Sequence, residues 1–161
     1  MKCYDHFLET DSILPILARI SFLGGISDVQ REKILDLFEM GNFKKGEFIS
    51  KKGEEPSHIY IIKKGKVDLM ITDNDMTVRK RDFNVGDCFG EAAMLAMINN
   101  TASFVAAEDC ELIMLSRRSL NKLRGEDPTI FSILILNLAR ELARKLQYSD
   151  YMLLKHEPEQ K

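Results

Sequence analysis

Between residues 41 and 116 glycine recurs at short intervals, at Gly41, Gly46, Gly53, Gly65, Gly86 and Gly90, and most segments between are too short for a packed helix. They carry the two-residue period of strands rather than the 3.6-residue period of helices. The clearest pair is 58–63, rich in β-branched and aromatic residues, and 66–72, which alternates through Val67, Leu69 and Ile71. Lys64-Gly65 between them reads as a tight hairpin. Further strands read at 76–83, 102–107 and 110–115, and Phe48-Ile49 lies between two glycine breaks. Turns fall at 72–75, at Gly86 and at Glu108-Asp109. At least six short strands, most with no helix between them, fit an antiparallel barrel or jelly roll best.

Helical patterns flank the strands. One covers 14–22, with Pro15 near its first turn, and Gly24-Gly25 breaks it. A second covers 28–38, where Ser27 and Gln30 form a possible capping box and Ile34, Leu35, Leu37 and Phe38 an apolar face. A short helix begins near Arg117, with Gly125 able to stop it. Asp127 then caps a last helix over 129–154, with Pro128 at its first position. The chain of 161 residues is thus expected to be one domain. It divides into N-terminal helices (1–40), a jelly roll (41–116), C-terminal helices (117–155) and a polar tail (156–161). The class is mainly β with flanking α.

Charge and cysteines narrow the setting. With 23 basic and 25 acidic side chains the chain carries a net charge of −2, unlike proteins that rely on phosphate attraction. Cys3, Cys88 and Cys110 are odd in number and widely spaced, which suggests a reducing compartment rather than a disulfide framework. Residues 1–10 lack the pattern of a secretory signal, and no apolar run approaches the ~20 residues needed to span a bilayer. A cytoplasmic protein is expected.

The run Gly86-Asp87-Cys88-Phe89-Gly90-Glu91-Ala92-Ala93-Met94-Leu95 interrupts the strand series. Residues 91–97 are strong helix formers. A glycine before a short helix leaves backbone N–H groups open to an anion, and Glu91 in the first turn can accept hydrogen bonds from a sugar hydroxyl. Taken alone, the stretch also reads as a sharp turn at Gly90 with an acid favouring the helix dipole.

Gly46, Gly53, Tyr60, Gly65 followed by Val67, and Gly86-Asp87-Cys88-Phe89-Gly90-Glu91 stand in the order and spacing of the cyclic nucleotide-binding domain. The chain resembles this domain of catabolite-activator type regulators and protein kinase A regulatory subunits over residues 26–154. The resemblance implies an eight-stranded β jelly roll (double-stranded β-helix) with a long C-terminal helix and a phosphate-binding cassette at 89–103. It implies a sensory or regulatory role without catalysis, in which pocket occupancy is coupled to the C-terminal helix. Phe89, Gly90, Glu91 and Ala92 then belong to the ligand site.

The cassette departs from the family pattern. Where the family's arginine pairs with the cyclic phosphate, nine residues after Glu91, this sequence has Asn100, followed by Thr101. Asn99 replaces the proline that often precedes the arginine. Asparagine donates a hydrogen bond but carries no charge. Cyclic AMP, cyclic GMP or another small anion is expected to bind weakly at best, and a vestigial pocket that serves only a structural dimerisation module is the alternative. Lys145 lies in the stretch that approaches the ligand in the family; it is a candidate replacement for the missing charge, or a solvated lysine.

Other chemistries find little support. Only His6, His58 and His156 are present, none spaced for a metal site. Cys88 and Cys110 read as core residues. Arg79-Lys80-Arg81, with Lys63, Lys64 and Lys66, reads as a solvated strand face and hairpin. The chain ends where the family's helix-turn-helix begins, so DNA binding by this chain alone is not expected; a protein partner of unknown identity is.

The last helix is apolar on more than one face between Ile130 and Leu138, more than one barrel requires. A homodimer is expected, with Ile135, Leu138, Leu142 and Leu146 on a short coiled-coil seam. The alternative places this excess against the N-terminal helices around Ile16, Ile20 and Phe22.

Overall fold

The computed structural model describes residues 23–73 and 76–156; the helix expected at 14–22, with Ile16, Ile20 and Phe22, lies outside them. The capping box forms: Gln30 N–H donates to Ser27 Oγ at 3.3 Å and Ser27 N–H donates to Gln30 Oε1 at 2.9 Å. It starts α1 (Asp28–Ile34), which tightens into a 3-10 turn at Leu35–Leu37. The helix expected to reach residue 38 therefore ends earlier. Phe38, fully buried, opens β1 (Phe38–Phe43) and pairs with Leu115. The apolar run looked helical because all four residues are buried, though by a turn and a strand rather than one helix face.

Seven more strands follow: β2 (Phe48–Ser50), β3 (His58–Lys64), β4 (Val67–Asp73), β5 (Met76–Phe83), β6 (Cys88–Phe89), β7 (Ser103–Ala106) and β8 (Cys110–Ser116). They form two antiparallel sheets, ordered β1-β8-β3-β6 and β2-β7-β4-β5. The strand expectations stand, with one correction. Lys64-Gly65 does not close a hairpin, because β3 and β4 lie in different sheets. The turn carries the chain from one layer to the other. Gly65 has φ +90°, and a Cβ there would stand 2.5 Å from the Asp109 carbonyl oxygen. The hairpin is β4–β5, paired from Val67↔Phe83 to Asp73↔Met76.

The first sheet is a middle layer, which explains the unbroken apolar runs of β3 and β8. Tyr60, Ile62, Leu112 and Met114 face the second sheet, with Phe43, Val67 and Phe89. Ile59, Ile61, Ile113 and Leu115 face the helices. Strands covered on both sides lose the alternation of a half-exposed sheet.

Three helices complete the fold: α2 (Glu91–Ala96) between β6 and β7, α3 (Arg117–Glu126), which Ser116 caps, and α4 (Pro128–His156). The Ser116 cap accepts from Ser119 N–H at 3.0 Å. Gly125 does not stop α3, which runs one residue further; Asp127 ends it and caps α4, accepting from Ile130 N–H at 3.0 Å. Ile130, Leu134 and Leu138 anchor α4 in the core with Leu23 and Ile26. Asn137 Nδ2 adds a hydrogen bond to the Gly24 carbonyl at 2.6 Å. Along 139–155 no residue is buried.

Candidate ligand-binding cassette

The β6–α2 junction depends on glycine. Gly90 has φ +85°, a left-handed conformation that strains other residues, and a Cβ there would meet the His58 carbonyl oxygen at 2.7 Å. The chain therefore turns tightly over β3 and directs Glu91 inward. α2 has six residues and ends at Met97, also left-handed at φ 56°. The cassette exit is strapped to the β2–β3 turn. Asn100 N–H donates to Glu54 O at 2.9 Å and its carbonyl accepts from Gly53 N–H at 2.7 Å. Asn99 Nδ2 donates to Gly53 O at 3.0 Å, and Lys52 N–H to Ser103 Oγ at 3.0 Å.

The expected site residues fall into different environments. Phe89 is 1% exposed and stacks between Tyr60 and Phe104, with centroids at 5.0 and 4.5 Å. It is a core residue that holds Gly90 and Glu91 in place. Ala92 and Thr101 are exposed, while Asn100 is buried. No lysine or arginine occurs in 89–103. Segment 89–103 thus offers a carboxylate, Glu91, as a hydrogen-bond acceptor and carries no cation of its own.

Glu91 is 2% exposed. Its Oε1 accepts from Lys145 Nζ at 2.5 Å, and the same ammonium donates to the Cys88 carbonyl at 2.7 Å. Oε2 is buried with no hydrogen-bond partner among the described residues. Removing one partner of such a buried pair costs about 3–5 kcal/mol, because it strands the other charge. Lys145 Nζ also lies 5.7 Å from the Phe83 ring centroid. One turn further along α4, the Arg81 guanidinium lies 5.4 Å from the Tyr148 ring and 4.9 Å from that of Phe83. Burial, with the nearby Glu91 charge, pushes the Cys88 thiol up to about 12, against a smaller opposing pull from Lys145. That leaves a protonated core thiol rather than a nucleophile.

Sequence reasoning brought both Lys145 and Glu91 into the site but missed the contact between them, the Cys88 carbonyl and the Arg81–Tyr148 contact. The three-residue spacing of Lys145 and Tyr148, which puts them on one helix face, was the available signal.

Of the four residues expected on a dimer seam, only Leu146 is open, at 62% exposure. Leu138 is a correction: it is fully buried in this chain's own core. Ile135 and Leu142 are half-buried. Lys63 and Lys64 both approach Glu111, at 3.3 and 3.7 Å, and Lys66 pairs with Asp82 at 2.9 Å, so each of these lysines has an acidic neighbour. The side chains of Arg79 and Lys80 lie outside the described residues. Among the described residues no cluster of three or more His, Cys, Asp or Glu side chains is arranged for a metal, and no helix is long and apolar enough to cross a membrane.

Comparison with known proteins matches residues 40–127 to the cyclic nucleotide-binding domain. A cGMP-dependent protein kinase egl-4 of Caenorhabditis briggsae is 30% identical over 121 residues, 73% of this chain but only 16% of that kinase. The Thermus thermophilus catabolite activator protein superposes with a TM-score of 0.72 at 28% identity, covering 83% of this chain and 61% of that one. The regulatory subunit of a cAMP-independent protein kinase A from Trypanosoma cruzi, bound to guanosine, superposes with a TM-score of 0.66 at 27% identity, covering 77% and 43%.

Proposed function

The chain belongs to the cyclic nucleotide-binding domain family, and from that premise we propose that it is a ligand-responsive regulatory module whose pocket is coupled to α4. The observation that carries this reading is Glu91: a carboxylate 2% exposed, at the start of α2, with one oxygen lacking a hydrogen-bond partner among the described residues. Burying an unsatisfied polar atom costs about 1–3 kcal/mol, and a hydroxyl donor from a sugar would remove that cost. With no cation in 89–103, the ligand is a neutral nucleoside, or a cyclic nucleotide held weakly. The guanosine bound by the Trypanosoma cruzi relative supports the first.

The regulatory output is a homodimer acting on a protein partner. Support for a second copy comes from exposed apolar residues on α4. Leu136, Ala139, Ala143, Leu146 and Leu153 are open to solvent and follow alternating steps of three and four, broken once by Asp150.

A calorimetric screen with guanosine, cyclic AMP, cyclic GMP and cyclic dinucleotides tests the reading. Saturable binding that is lost in Glu91→Ala supports it. No binding by any of them would leave the structural dimerisation module, which the missing cassette arginine favours.

A further inference from the structure

We propose that Lys145 is a tethered plug of the cassette: its ammonium occupies the Glu91 carboxylate, and a ligand gains that carboxylate only when the second half of α4 lifts. The proposal rests on reading the cassette as a ligand site.

Three observations carry it. Both Glu91 oxygens are closed off, Oε1 by Lys145 Nζ at 2.5 Å and Oε2 by burial. A ligand hydroxyl has no approach while Lys145 stays. Second, α4 changes character along its length. Ile130, Leu134 and Leu138 are at most 1% exposed, whereas none of 139–155 is buried. The second half therefore has little apolar adhesion to its own barrel, and polar contacts hold it there: Lys145 to Glu91 and to the Cys88 carbonyl, and Tyr148 to Arg81. Hydroxyl donors of a ligand would take over hydrogen bonds that the lifted ammonium gives up, which offsets part of the cost of unpairing Glu91. Third, lysine is a point charge on a flexible four-carbon stem, so it leaves and returns without a change in the barrel.

The consequence is a direction of coupling. Ligand and plug compete for one carboxylate, so ligand entry frees the second half of α4 instead of clamping it. Apparent affinity is the intrinsic affinity scaled by the fraction of open molecules.

Two measurements on the full chain test this. Amide hydrogen exchange, with no nucleoside added, should quicken about tenfold over 139–156 in Lys145→Met, at the level of one charge-assisted hydrogen bond. Amides of β3 and β8 should keep their protection, and Lys145→Arg should restore that of α4. If Lys145→Met does not fold, Glu91→Gln should loosen the same segment. Unchanged exchange over 139–156 overturns the plug. In the second measurement, guanosine and cyclic AMP are titrated calorimetrically. Lys145→Met should bind about tenfold more tightly than wild type. Weaker binding also overturns the plug, because it makes Lys145 a ligand contact. Should neither protein bind either compound, the ligand reading fails and hydrogen exchange alone decides whether Lys145 fastens α4.

Discussion

A Cβ on Gly90 would stand 2.7 Å from the carbonyl oxygen of His58. The collision is with backbone, which has little room to yield, and φ +85° adds conformational strain. Gly90→Ala should therefore destabilise the protein by about 1–3 kcal/mol, read by urea denaturation. Gly46 also has positive φ but nothing within 4 Å of a Cβ, so Gly46→Ala should cost less. Equal losses at the two positions would show that the approach to β3 is unimportant.

The family resemblance sets Asn100 at the position of the arginine that pairs with a cyclic phosphate, an assignment that a substitution tests. Asn100→Arg should increase affinity for cyclic AMP or cyclic GMP by about 10- to 150-fold, the worth of one charged hydrogen bond at about 1.4 kcal/mol per decade. Guanosine, without a phosphate, should not gain. Calorimetry on both ligand types separates a restored phosphate contact from a general change in the pocket.

Burial holds His58 below the ordinary histidine value of 6.5, while Glu39, with Oε2 at 3.8 Å from Nε2, opposes this by less. The unfolded chain then binds the proton more readily than the folded one. The resulting stability is fully present above pH 6.5 and is lost as pH falls through the lower folded value. Melting temperature should drop on acidification from pH 7.5 to about pH 5, with a smaller drop in His58→Gln. Parallel profiles for the two proteins would exclude His58 as the source.

Leu146 is 62% exposed, so replacing it leaves the core intact. Leu146→Glu should yield a folded monomer by sedimentation velocity at a concentration where wild type is dimeric. Wild type that sediments as a monomer at tens of micromolar contradicts the dimer.

Where the structure agrees with the sequence, the signal was local. The Ser27–Gln30 box, the Asp127-Pro128 start of α4 and the positive φ at Gly86 and Gly90 follow from bonding options within a few residues. The strand periods of 58–63, 66–72 and 76–83 were legible for the same reason. Strand pairing was not. The Lys64-Gly65 turn crosses between sheets because β3 finds β8 and β6, and β4 finds β5 and β7, choices that depend on the whole jelly roll. Leu138 could not be assigned from the helix pattern, since α4 has apolar residues on several faces and the position of the barrel decides which is covered. The Lys145–Glu91 contact joins residues 54 apart. The helix period sets the face Lys145 points from, but only the packing of α4 across β5 and β6 sets a carboxylate beneath it.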